Sequence, residues 1–250
     1  MTIPAYLPYF VFAGTAAAIV AILYGLHRSL VQAKWPPSDR ARTVRASAII
    51  LLGWLAVSVA LGALGVYHVS SAEVPTIQYG ILLPIVVGAL LIWRSETAKG
   101  IIAAVPQSWL VGVQLYRALG VIFLILYAAG KLPSLFAWPA GIGDIAIGLL
   151  APIVGLAYAR APRNTASLVA AWNVFGILDL VVAVGTGFLT APSLLVPFET
   201  QPTSELMTVL PMVMVPVYLV PLSIVLHLAS LVKLRREAVA GNDFSRAVAA

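Results

Sequence analysis

Apolar residues run along this chain in long unbroken stretches separated by short polar and charged segments. They show neither the alternation of a half-buried strand nor the spacing of a water-facing amphipathic helix. Runs near 4–26, 47–67, 77–93, 108–129, 138–158, 166–188 and 206–231 reach or approach the ~20 residues a helix needs to cross a hydrocarbon core. The pattern therefore predicts an all-α, polytopic integral membrane protein with seven transmembrane helices, and its continuity argues against a β-barrel. The third run is the shortest and contains Pro84, so an interfacial or kinked segment is the alternative there. Residues 100–105, just before the fourth run, are expected to lie on the membrane surface.

Composition agrees with the pattern. Of 250 residues, 61% are apolar and 10% charged, and the mean hydropathy is +1.00. A water-soluble domain carries about 25% charged residues, so a soluble globule lacks the polar surface it needs here. Nothing separates the chain into parts, and it reads as one transmembrane domain, 1–234, with a short tail, 235–250. There is no Cys, which excludes disulfides, thiolate metal sites and thiol nucleophiles.

Charge sets the orientation. Loop and tail cations Arg28, Lys34, Arg40, Arg42, Arg45, Arg94, Lys99, Arg160, Arg163, Lys233, Arg235, Arg236 and Arg246 fall on one side of a seven-helix topology. Opposite them stands Lys131, so the N-terminus is expected outside and the C-terminus in the cytoplasm. The opening MTIPAYLPYFVF has no basic segment, which favours an uncleaved first helix over a signal peptide. These features fit a bacterial-type plasma (inner) membrane. The net charge of +6 is explained by orientation; a nucleic-acid partner would need a basic face on a soluble fold.

Only Arg117, Asp144 and Asp179 place a charge inside a predicted span. Each costs at least about 2.5–3.5 kcal/mol at a helix centre unless paired or hydrated, so all three should face the bundle interior. From the helix rise, Arg117 lies ~14 Å from the cytoplasmic end of its span and the two Asp ~20 Å, a gap one Arg side chain can bridge. Two carboxylates and one guanidinium leave a charge near −1, which a proton or cation can complete. Gly141-Ile-Gly-Asp144-Ile and Gly176-Ile-Leu-Asp179-Leu share the form G-I-x-D-[I/L] on consecutive helices. That repeat reads either as a pseudo-symmetric carboxylate pair, as at transporter midplanes, or as an ordinary small-residue packing seam.

Gln114 and Asn173 sit near these charges in sequence and are weaker candidates for a polar cavity, with interhelical hydrogen bonding the alternative. His227, four residues from the expected end of the last span with Ser223 a turn before it, is a candidate proton relay or a satisfied interfacial histidine. No metal or cofactor is expected; a haem held by His27 and His227 is the minor alternative. Pro211, Pro216 and Pro221 are expected to kink the last span, making it the candidate moving or pore-lining element. A retinal Schiff base needs a Lys within the seventh helix, and Lys233 falls beyond the expected span.

The leading expectation is a small transporter-like or ligand-binding membrane protein with an Arg117/Asp144/Asp179 site, proton- or cation-coupled. Its partners would be the lipid bilayer and a small solute or ion. The alternative is a non-transporting accessory or assembly subunit whose buried charges hold helices together. An enzyme has little support, since no nucleophile and base are visibly matched.

Overall fold

The computed structural model describes residues 4–68, 74–193 and 201–249, with side chains through residue 240. Among them all regular structure is helical. A long apolar run offers its backbone no polar side chains, so it satisfies its N–H and C=O groups within itself as a helix. Helices α1 (Leu7–Gln32), α2 (Pro37–Ala63) and α3 (Ile77–Arg94) come first. A nine-residue α4 (Glu96–Ala104) follows, started by Ser95, whose hydroxyl accepts the Ala98 amide at 3.2 Å. The fourth run is composite: α5 (Gln107–Gly112), a 3-10 segment (Val113–Gly120) and α6 (Val121–Ala128). Then come α7 (Ser134–Arg160) and α8 (Pro162–Leu189). A 3-10 turn (Glu205–Thr208) and a π turn (Val215–Leu219) lead into α9 (Val220–Ala249). Taking Gln107–Ala128 and Val215–Ala240 each as one run, seven helices are long and apolar enough to cross a membrane.

The third run, expected as a span, is a helix of spanning length, and Pro84 lies inside a continuous α3. Four other local expectations change. The last run begins at Val215 rather than near 206. Pro211 precedes it, Pro216 lies in the π turn at its start, and Pro221 directly follows that turn, where the Val220 N–H already reaches back five residues to the Val215 carbonyl. Pro216 and Pro221 thus lie within one continuous run, in and just after its π turn, and Pro211 stands before it. Beyond Arg235, expected to begin a tail, the α9 backbone stays helical to Ala249. Lys233, expected among the tail cations, is buried: its Nζ donates to the carbonyls of Ile102 (3.1 Å) and Ala103 (2.9 Å) and pairs with Glu237 at 3.4 Å. The last carbonyls of α4 have no helical partner, and an ammonium at that negative dipole end satisfies them.

The fourth and last runs are the most buried of the seven and form the centre; α2 and α3 are the most peripheral. Helix α7 lies along the fourth run with glycines turned toward it. A Cβ added at Gly148 would strike the Ala118 backbone, and one at Gly155 would lie 2.7 Å from the Ser108 carbonyl oxygen. Side chains on the outer faces are apolar: Ile49, Leu83, Ile153 and Phe175 are between 62 and 66% exposed. A monomer in water rarely shows so continuous an apolar exterior.

Candidate functional site

The 3-10 segment aims the site's central cation. With three residues per turn, side chains at i and i+3 eclipse, so Gln114, Arg117 and Gly120 form one edge. All three are buried and turned inward. Arg117, 3% exposed, sends its Nε to Asp144 Oδ1 at 2.7 Å and one terminal nitrogen to Asp179 Oδ2. Its other terminal nitrogen donates to the Gly176 carbonyl and to His227 Nε2, each at 3.1 Å. One guanidinium therefore joins α7, α8 and α9, and four of its N–H groups are spent on the protein.

Because a guanidinium only donates, His227 Nε2 must accept, which places the ring proton on Nδ1. That nitrogen donates to Asn173 Oδ1 at 2.9 Å, and the neutral ring packs against Trp172 with centroids 5.0 Å apart. The Asn173 amide donates in turn to Val169 O and to Ser230 Oγ, both at 2.8 Å. Ser230 Oγ also accepts Gln107 Nε2 at 2.5 Å. A continuous chain of polar contacts thus runs from the two carboxylates through Arg117, His227, Asn173 and Ser230 to Gln107, at the start of α5. Gln114 stands beside it, donating to the Ser223 carbonyl at 3.0 Å, while the Ser223 hydroxyl meets Tyr116 Oη at 2.5 Å. The side-chain oxygens of Gln107 and Gln114 and the indole N–H of Trp172 are buried with no hydrogen-bond partner among the described residues.

Of the six residues selected from the sequence, the structure joins Arg117, Asp144, Asp179, His227 and Asn173 in one network. Gln114 bonds instead to the α9 backbone. His227 is fully buried within the bundle, and in the run Val215–Ala240 it lies twelve residues from one end and thirteen from the other, ~18 Å along the helix from the nearer. Arg117 also sits deeper than uniform α-helix geometry implies: six α-helical steps and four 3-10 steps of about 2.0 Å place it ~17 Å from Gln107. Both nitrogens of His227 are engaged by Arg117 and Asn173, while His27 is exposed.

The G-I-x-D segments do not act alike. A Cβ at Gly141 would lie 2.7 Å from Leu124 of α6, whereas Gly176 faces His227 and Arg117. Each carboxylate instead seats against a glycine of a neighbouring element, Asp179 on Gly143 and Asp144 on Gly120. Ser230, Gln107 and Tyr116 were missed. Ser223, His227 and Ser230, at i, i+4 and i+7 on one face of an otherwise apolar run, were the available signal.

Two cavities converge on Asp144. One, of about 70 Å³, reaches from Pro75, Ala191 and Ser204 at the helix ends down to Asp144, the only ionisable group on its lining among the described residues. The other, of about 40 Å³, lies between α1, the fourth run and the last run, and is lined by Tyr116, Arg117, Asp144 and Ser223. The π turn borders both through Val215. Asp144 and Asp179 each keep 14% of their side-chain surface accessible, against 2% for Arg117.

Fold and site together define an all-helical protein in which seven helices of spanning length surround a buried arginine shared by two carboxylates. Residues 74–235 match the family described as "Domain of unknown function (DUF8737)", and the chain belongs to that family. The matched segment holds α3 and all six site residues; α1 and α2 precede it. No curated protein and no solved structure matches the chain.

Proposed function

We propose that the chain is an integral membrane protein of the bacterial inner-membrane type, N-terminus outside and C-terminus in the cytoplasm, acting as a small transporter-like or ligand-binding protein. Arg117, Asp144 and Asp179 form a site that takes up a proton or a small cation. The observation that carries this reading is the convergence of both cavities on Asp144, one of two carboxylates sharing a single guanidinium beside a neutral histidine. The site is one positive charge short, and the accessible carboxylate is where that charge arrives. The apolar cleft from Pro75 and Ser204 leads from the non-cytoplasmic side. The polar chain from His227 to Gln107 continues toward the side bearing the loop cations. The irregular lead-in beside the cleft is the element placed to move, since its backbone ladder is already interrupted.

A second reading is favoured by the near-saturation of Arg117: a guanidinium with four N–H groups engaged by the protein is also a structural staple, as in an accessory or assembly subunit. A thermal-shift series on detergent-purified protein with Li⁺, Na⁺, K⁺ and methylammonium at constant ionic strength, repeated from pH 5 to 8, separates the two. The site reading expects one cation, or acidification, to raise the melting temperature of the wild type but not of Asp144→Asn. If wild type and variant respond alike to every condition, the charges are structural and the second reading stands.

A further inference from the structure

At the ends of the spans where the loop cations cluster, the last turns of α3, helix α4 and the far half of α9 enclose a groove of about 740 Å³. It lies on the opposite side of the bundle from the mouth of the cleft to Asp144. Its wall is apolar, made by Ile92, Leu228 and Val232, and Lys99, Arg235 and Arg236 also line it. Among the described residues, no carboxylate lines it.

Among the described residues, cations outnumber carboxylates around the groove. Lys233 and Glu237 pair with each other on α9 and cancel. Glu96, on the first turn of α4, accepts a hydrogen bond from Lys99 Nζ at 2.6 Å, and its carboxyl is held below the usual carboxylate range by that hydrogen bond and, more weakly, by Arg236. Arg94 lies over the Trp93 ring, 4.4 Å from its centroid, at the groove's edge. Arg94, Lys99, Arg235 and Arg236 against Glu96 leave a local charge of +3, and neither Arg235 nor Arg236 makes a salt bridge among the described residues. The groove is also preformed: Lys233 ties the end of α4 to α9 through two carbonyls, so its wall does not depend on an occupant.

We propose that this groove binds one anionic phospholipid of the cytoplasmic leaflet, its phosphate held by Lys99, Arg235 and Arg236 and an acyl chain lying along Ile92, Leu228 and Val232. A small soluble anion would use the cations and leave the apolar wall bare; a zwitterionic lipid would cover the wall and leave the positive charge uncompensated. An anionic amphiphile satisfies both, and basic pockets between helices at the cytoplasmic edge suit such headgroups. Trp93, 64% exposed beside Arg94, supplies the amphipathic ring that belongs at headgroup level. The proposal rests on the membrane reading above but not on the ion site.

The test is lipid retention by the full-length protein in nanodiscs of phosphatidylcholine with increasing phosphatidylglycerol, read by native mass spectrometry and thermal shift. The expected result is preferential retention of one phosphatidylglycerol, weakened about fivefold for each cation removed in Lys99→Gln and Arg236→Gln. Removing two cations elsewhere, as in Arg42→Gln with Arg45→Gln, should leave retention unchanged; an equal loss there would reduce the effect to general surface charge and overturn the groove. Inorganic phosphate should give no shift; a shift equal to that of phosphatidylglycerol would overturn the lipid assignment. Incorporation into nanodiscs without preference for phosphatidylglycerol overturns the groove alone, whereas failure to incorporate overturns the membrane reading and the groove with it.

Discussion

Replacing Arg117 by Met should be among the most damaging single changes in the protein, and the structure says by how much and how to undo it. The variant leaves two carboxylates facing each other across the gap that the guanidinium filled, and strips the donor from the Gly176 carbonyl and from His227 Nε2. Removing one partner of a buried ion pair costs about 3–5 kcal/mol, chiefly because the remaining charge is left uncompensated. Neutralising both carboxylates in the same background, as Arg117→Met with Asp144→Asn and Asp179→Asn, removes that penalty. What remains is about 1–3 kcal/mol for each of the two orphaned acceptors, a cost the single variant carries as well. The triple variant should therefore be more stable than the single one, by about 2 kcal/mol. Equilibrium unfolding in mixed micelles with rising detergent denaturant, followed by tryptophan fluorescence, measures each variant. The reasoning is refuted if the three losses simply add, within about 0.5 kcal/mol, because additivity is the behaviour of groups that do not touch.

The glycine seats separate the two arms of the site without altering charge: Gly143→Ala should displace Asp179 and Gly120→Ala should displace Asp144, each costing about 1–3 kcal/mol by overpacking, while Gly53→Ala, with open space around it, should change stability by less than about 0.5 kcal/mol in the same assay. Ser230→Ala should cost only about 1 kcal/mol, since Asn173 keeps its bond to Val169 O and Gln107 its bond to the residue 230 carbonyl; a loss above about 3 kcal/mol would mean the hydroxyl holds the chain together by itself. Cysteine introduced at Ser134, at the start of α7, should react with an impermeant maleimide in intact cells, and cysteine at Ser38 only after permeabilisation; the reverse pattern would invert the proposed topology.

Much was legible in the sequence because the physics behind it is local. Unbroken apolar runs have one way to satisfy their backbone, so seven helices of spanning length follow from pattern alone. The cost of an isolated charge in such a run singled out Arg117, Asp144 and Asp179 as partners before any contact was visible. Helix rise even gave the reach needed for one Arg to meet both carboxylates. Residues 100–105 read as a short segment apart from the spans, and most of them fall in α4, which at nine residues is too short to span.

What the sequence left open depends on which helix lies beside which. Nothing local turns eight residues of the fourth run into a 3-10 segment, yet α7's glycines bring its backbone against that stretch, and the tighter winding lifts Arg117 and aligns it with Gln114 and Gly120. His227 looked interfacial because the apolar run breaks off near residue 231; the helix continues past that point, and His227 lies midway along it, in the fourth N–H direction of Arg117. Lys233 looked like a tail cation because its partners are backbone carbonyls of a different helix, which leave no trace in composition. Likewise the two G-I-x-D segments are alike as strings and unlike in place, because the neighbour each glycine admits is set by the bundle. Local chemistry fixes what must be buried and paired, whereas a partner's identity is a property of packing between segments far apart in the chain, and tertiary structure alone decides it.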